Sequence, residues 1–310
     1  MYKTGFIENH DIETSFMIKH AYCIIAHNEP NILKVLIAQL DDPRNDIYIL
    51  IDAKSNIEEF AGIYTNYSKV KFIDNRLNIF WGDFSQVRAE LLILEEASKG
   101  GCYSYFHLLS GVDLCLRDQD YIHDFFSKNA GLEFIDVCTD DKNILDAEYK
   151  FRHYFLLIKQ QNSTSLLIKM GARVICRAFV FLQKIFGISK KSEAFVRIAK
   201  GSNWASISGE FCEYMIKNKS LIEKEFKYVF AADEIFLPTL FVNSHFVDKR
   251  YIPEKNVPSN LRAINWTRGN PYVWRLEDCN DLLNSDCLWA RKFSTKQDKR
   301  AIDYIAGELV

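Results

Sequence analysis

The chain has 310 residues, 48% of them hydrophobic and 26% charged, with a formal net charge of −2. That composition suits a globular protein with enough chain for a large core, and it supplies no positive field for nucleic acid, so nucleic-acid binding is excluded as an expectation. Eight cysteines are scattered without a Cys-x-x-Cys pair, which argues against a zinc site or disulfide framework and for a reducing compartment.

Residues 1–18 read as an N-terminal extension. They lack the apolar centre of a signal peptide, and no apolar run reaches 18 residues, so the expected location is cytoplasmic. Residues 19–310 read as one catalytic domain, with a nucleotide-binding half over 19–125 and an acceptor and catalytic half over 126–310. Tyr22–Ala26 is a short apolar run ending at His27, which predicts a buried strand and a loop. Residues 31–40 have helical spacing. Residues 46–52 predict a second buried strand that ends on Asp52, and 70–73 a third. Residues 84–97 predict a helix with Val87, Leu91 and Leu94 on its apolar side. Residues 105–110 predict a fourth strand running into Ser110-Gly-Val-Asp113. Strands alternating with helices argue for a mostly parallel sheet covered on both faces. His27, Asp52, Ser110 and Asp113 then fall at the carboxyl ends of strands, where open sheets of this kind bind ligands. No Gly-x-Gly-x-x-Gly or P-loop pattern is present.

Asp118-Gln-Asp120 has the form of a metal-binding pair, but it precedes a helical pattern and Asp118 reads as an N-cap. Residues 166–186 combine Lys169, Arg173, Arg177 and Lys184 with Leu, Val, Ile and Phe. They read as a basic amphipathic helix covering the core with its cations solvated; peripheral contact with a membrane surface is the second reading. In Ala231-Ala-Asp-Glu-Ile-Phe-Leu-Pro-Thr-Leu240 two acids open an apolar run, as in the first turn of a docked helix.

Seven segments in order resemble the core-2/I-branching β-1,6-N-acetylglucosaminyltransferase and peptide O-xylosyltransferase family, glycosyltransferase family 14. They are Ala21–His27, Ile51-Asp-Ala-Lys-Ser55, Trp81-Gly-Asp-Phe-Ser-Gln-Val87, Phe106–Asp113, Gly201-Ser-Asn-Trp204, Asp233-Glu234 and Leu288-Trp-Ala-Arg-Lys-Phe293. The resemblance implies a GT-A-like α/β fold in a bacterial-type member. It also implies inverting, metal-independent transfer from a UDP-sugar to a glycan or lipid-linked glycan acceptor. UDP-N-acetylglucosamine is the first expectation for the donor and UDP-xylose the second. The alternatives are a metal-dependent transferase using Asp118 and Asp120, or a non-catalytic binding protein.

By the same resemblance Glu234 is the general base, and Lys292 with an arginine neutralises the leaving diphosphate. Arg268 is preferred to Arg262 and Arg275 for that arginine. His27, Asp52, Ser85, Val87, Asp113, Gly201 and Ser202 are expected at the donor. Gly201 and Ser202 would let backbone approach a sugar closely, and Trp204 offers a stacking face. Trp204, Glu133, Arg152 and Asp233 are expected at the acceptor, Asp233 also reading as a helix-cap acid. No metal or other cofactor is expected.

Overall fold

A computed structural model describes residues 19–254 and 257–309; the extension at 1–18 lies outside them. Strand β1 (His20–Ala26), helix α1 (Pro30–Leu40), β2 (Asn45–Ile51), β3 (Lys69–Phe72), α2 (Ser85–Ser98) and β4 (Tyr105–Ser110) follow one another close to the expected positions. β5 (Asp113–Cys115) and α3 (Gln119–Lys128) come next, then α4 (Asp141–Arg152) and α5 (Leu166–Ile185). The chain continues through β6 (Ser206–Ser208), α6 (Gly209–Lys217), α7 (Lys219–Phe226) and α8 (Asp233–Val242). It closes with β7 (Arg262–Ile264), α9 (Cys279–Asn284), β8 (Trp289–Arg291) and α10 (Thr295–Leu309).

The main sheet has the order β3-β2-β1-β4-β6; only β6 runs antiparallel. Successive residues of β1 alternate between its two faces, as a pleated strand requires. Ala21 and Cys23 join the core under α2, α6 and α8. Tyr22 and Ile24 join the one under α1 and α10. Burial on both faces is why these strands read as continuous apolar runs. A second sheet, β5-β8-β7, packs nearby, with β8 pairing antiparallel to β5 and parallel to β7. It brings the C-terminal Trp289–Arg291 strand beside Asp113, just beyond the end of β4.

The Asp118 side chain caps α3 by accepting from the Tyr121 amide at 2.8 Å, as its position before a helical pattern predicts. Asp120 is exposed and pairs with Arg44 at 2.7 Å. Arg44 directly precedes β2, so both acids sit at the amino-terminal end of the parallel strands. A seven-residue strand separates that end from Asp52 by roughly 20 Å. Helix α5 departs from expectation: it buries only Ala172, Cys176, Val180 and Gln183 and turns most of its large apolar side chains outward. All eight cysteines are free. Among the described residues no helix is long and apolar enough to cross a membrane.

Candidate active site

The carboxyl ends of β1, β2 and β4 place His27, Asp52 and Ser110 along one edge of the sheet. Asp52 is buried and its carboxylate is held by Lys54, through the backbone amide at 2.9 Å and the ammonium at 2.6 Å. His27 stands exposed at the end of β1. Desolvation in the cleft holds its imidazole below the usual range; the Asp52 carboxylate opposes this, and Arg291, Lys54 and Lys292 add to it. One acid and three cations therefore face the same imidazole.

Arg291 is the site residue that the sequence pattern does not single out. Its guanidinium donates to Asp113 at 2.9 Å and to the Ser110 hydroxyl, and lies 4.4 Å from the Trp204 ring centre. Asp113 is buried and also accepts from the Ser110 amide and hydroxyl, at 2.9 and 2.6 Å. It thus aims Arg291 rather than facing the cleft itself. Lys292 follows, half-buried, its ammonium held below its ordinary value by burial and then by the Arg291 charge. Arg268 and Arg262, both weighed as partners of Lys292, each have other partners. Arg268 is largely exposed, pairs with Asp278 at 2.7 Å and lies over Tyr272. Arg262 is buried, bonded to the Leu108 and Ala205 carbonyls and the Ser206 hydroxyl, with burial lowering it to about 9. Arg291 is the arginine that shares the edge with Lys292.

On the other side of the edge, α8 explains its own sequence. Pro238 has no amide to donate back to the Glu234 carbonyl four residues earlier. That carbonyl instead accepts from the Gly201 amide at 2.9 Å. Thr239 adds two more ties, accepting from the Ala199 amide at 3.0 Å and donating to the Ala199 carbonyl at 3.2 Å. Proline and threonine therefore stitch residues 199–201 to the helix that carries the acids. The Glu234 carboxylate is part-exposed, 3.4 Å from the Lys200 ammonium. Burial disfavours the charge on Lys200, but Asp146 and Glu234 outweigh it and hold the group above its ordinary value.

Asp233 turns the other way. It is buried and takes one hydrogen bond, from the Gln86 amide at 3.2 Å, while its second oxygen has no partner. Burial first, and the neighbouring Glu234 charge second, push its carboxyl up to about 7. Glu90, one turn beyond Gln86, is buried as well and raised well above the usual range by desolvation. It accepts from Asn203 at 2.9 Å. Gln86 also accepts from the Gly82 amide at 2.7 Å, and the Ala231 amide donates to the Gly82 carbonyl. The Trp81–Val87 segment, α8 and residues 200–204 are thus one hydrogen-bonded unit.

Other expectations change in detail. Gly201 is glycine because a Cβ there would run into the Asp136 carbonyl, not to admit a sugar. The Ser202 hydroxyl accepts from the Trp204 amide at 3.2 Å. Ser85 is buried and its hydroxyl accepts from the Phe80 amide, closing the loop before α2. Val87 is fully buried in the core and lines nothing open. Glu133 is a correction: it is buried, and its carboxylate accepts from the Ser208 amide at 2.9 Å and from the Ser208 hydroxyl at the start of α6. Arg152 lies on the surface of α4 and pairs with Glu148 one turn away at 2.6 Å. A concavity of about 450 Å³, lined in part by Phe125, Leu132 and Tyr251, opens elsewhere; its described lining holds Glu254 and Asp286 and no Lys or Arg.

The mostly parallel sheet, covered on both faces and with its polar groups gathered at the carboxyl edge, is a GT-A-like glycosyltransferase fold. The sequence profile of the core-2/I-branching enzyme family matches residues 20–282, and the chain belongs to that family. It is 24% identical over 292 residues to the xylosyltransferase sqv-6 of Caenorhabditis briggsae and 23% to that of Caenorhabditis elegans. Each alignment covers 84% of this chain and 33% of the relative, so the chain spans about a third of their length.

Proposed function

We propose that the protein is an inverting glycosyltransferase that moves a sugar from a UDP-sugar to a hydroxyl of a glycan or lipid-linked glycan acceptor, forming a β-linkage without a metal ion. The observation that carries this reading is the segment Lys200–Trp204. Its first two residues touch Glu234 and its last lies against Arg291. Three peptide steps from Gly201 to Trp204 span at most roughly 11 Å, so one short stretch of chain joins the Glu234 acid to the Arg291 guanidinium.

In this reading the Glu234 carboxylate takes the proton of the acceptor hydroxyl as its oxygen bonds to the anomeric carbon. The bond from that carbon to the diphosphate oxygen breaks, and the charge left on the diphosphate is met by Arg291 and Lys292. Arg291 is held in place ahead of the reaction by Asp113 and Ser110, so little reorganisation of its guanidinium accompanies the step. His27 and Asp52 would hold the nucleoside, and Trp204 would offer its face to the sugar. Asp118 caps α3 and Asp120 pairs with Arg44 at the other end of the strands, which supports fixed cations rather than this acid pair at the diphosphate.

UDP-N-acetylglucosamine is the donor we propose first. UDP-xylose is the second reading, favoured by the names of the two relatives. Turnover and binding across a UDP-sugar panel in EDTA test both points. Metal-free turnover of one donor supports the proposal and identifies the sugar, whereas activity that appears only with added manganese refutes the metal-free clamp.

A further inference from the structure

Helix α5 has an unusual distribution of side chains. Its protein-facing strip is narrow: Ala172, Cys176 and Val180, with Gln183 clasping the Tyr154 amide and carbonyl, both at 2.9 Å. At about 100° per residue, the opposite arc of roughly 120° carries Leu167, Val174, Ile175, Phe181, Leu182 and Ile185. All six are exposed, Leu167 by 84% and Phe181 by 62%. Phe186 and Ile188 continue the surface, 71% and 50% exposed. A contiguous apolar face of this kind on a water-exposed helix marks an interaction surface.

The charges choose between occupants. Arg173, Arg177 and Lys184 fall within about 40° of one another along one flank of the apolar arc, while Lys169, part-exposed, sits in the first turn above the protein-facing strip. Residues 166–188 contain no Asp or Glu. Among the described residues none of these four cations is ion-paired; Lys184 instead lies 4.8 Å from the Tyr149 ring centre. A second copy of the same face would set these cations near their own kind. An anionic bilayer would accept the apolar arc among its acyl chains and the cationic flank among its headgroups.

We propose that α5 is a membrane-docking helix that lies in the plane of a bilayer surface rich in anionic phospholipid. The helix enters to the depth of its apolar side chains and does not cross. It is also tied to the rim of the candidate site: Asn162, just before α5, donates to the Trp81 carbonyl at 3.0 Å. Docking would therefore hold the Trp81–Val87 segment near the lipid surface.

The test is flotation of the full chain with vesicles of phosphatidylcholine alone, or with roughly 30% phosphatidylglycerol to supply negative charge. The protein should float with the anionic vesicles at low salt and much less at high salt. The variant K169Q/R173Q/R177Q/K184Q should bind at least about 30-fold more weakly. The variant L167S/V174S/F181S should also lose binding, while both keep the wild-type unfolding curve and UDP affinity, since the changed side chains are exposed, Lys169 being part-exposed. Wild-type protein that stays off the anionic vesicles overturns the proposal, as does equal binding to both vesicle types with the charge variant unaffected. Wild-type dimers that L167S/V174S/F181S converts to monomers overturn it too, giving the face to a second copy of the chain. UDP-sugar turnover is read separately, so a failure to dock is distinguishable from a failure of the transferase reading.

Discussion

Asp233 provides a test of the electrostatics at the heart of the site. Its carboxyl is moved from an ordinary 3.8 to about 7, by burial first and by Glu234 second. In the unfolded chain the group loses its proton near 3.8; in the folded protein it keeps it until about 7. Between those values folding takes up a proton, so the contribution is fully present below the unfolded value and declines as pH rises, at about 1.4 kcal/mol per pH unit. Above the folded value the loss is complete, at about 4 kcal/mol as an order of magnitude. Asn at this position is neutral at every pH and can still accept from Gln86. Asp233→Asn should therefore unfold like wild type in urea near pH 4 and be more stable near pH 8, by up to about 4 kcal/mol. Taking the difference between variant and wild type cancels every other titrating group to first order. A difference that does not change with pH, or a variant less stable than wild type near pH 8, would refute the argument.

Arg291 and Arg268 separate the two choices for the clamp. Arg291→Met should weaken UDP binding by about 10-fold or more, the loss of one charge-assisted contact, while Arg268→Met should change it less than about 2-fold. Because Arg291→Met alone leaves Asp113 buried without its cation, Arg291→Met/Asp113→Asn is the companion variant that should fold and still bind UDP weakly. Glu133→Ala should cost about 1–3 kcal/mol in urea by stranding the Ser208 amide and hydroxyl, with the kinetics of the remaining folded enzyme unchanged. His20, His107 and His123 form a buried cluster in which His20 and His107 bond at 3.1 Å and His123 is lowered to about 4 by burial and then by Arg44. A lowered histidine contributes stability above its unfolded value near 6.5 that is lost as pH falls toward its folded value. Wild type should thus lose stability relative to His123→Gln between about pH 6.5 and 4, and parallel curves would contradict this.

Much of the fold and part of the site are legible in the amino-acid sequence, for identifiable physical reasons. Strands buried on both faces announce themselves as apolar runs, and Asp118 announces itself as a cap because a helical pattern follows it. Glu234 is readable as the acid of a docked helix. The partner it needs is not, since the tie from Gly201 to its carbonyl depends on Pro238 removing a hydrogen bond across 33 residues of chain. Glu133 misleads because position in chain order says nothing about burial: it closes the corner at Ser208. Arg291 is hidden by its neighbour, because only the pairing of β8 with β5 sets it on Asp113. The signal for Gln86 and Glu90 is present, as two polar residues one turn apart among the core positions of α2. For α5 the sequence displays an amphipathic helix but cannot say which side faces the protein.

The measurement that bears most directly on the proposed chemistry compares wild type and Glu234→Gln in EDTA, with UDP-sugar binding and transfer read in parallel. If Glu234 is the base, the variant binds the donor with wild-type affinity and loses transfer by about 100-fold or more, the scale of a lost general base. Transfer that survives unchanged in the variant, or donor binding that vanishes with it, would contradict the role assigned to Glu234.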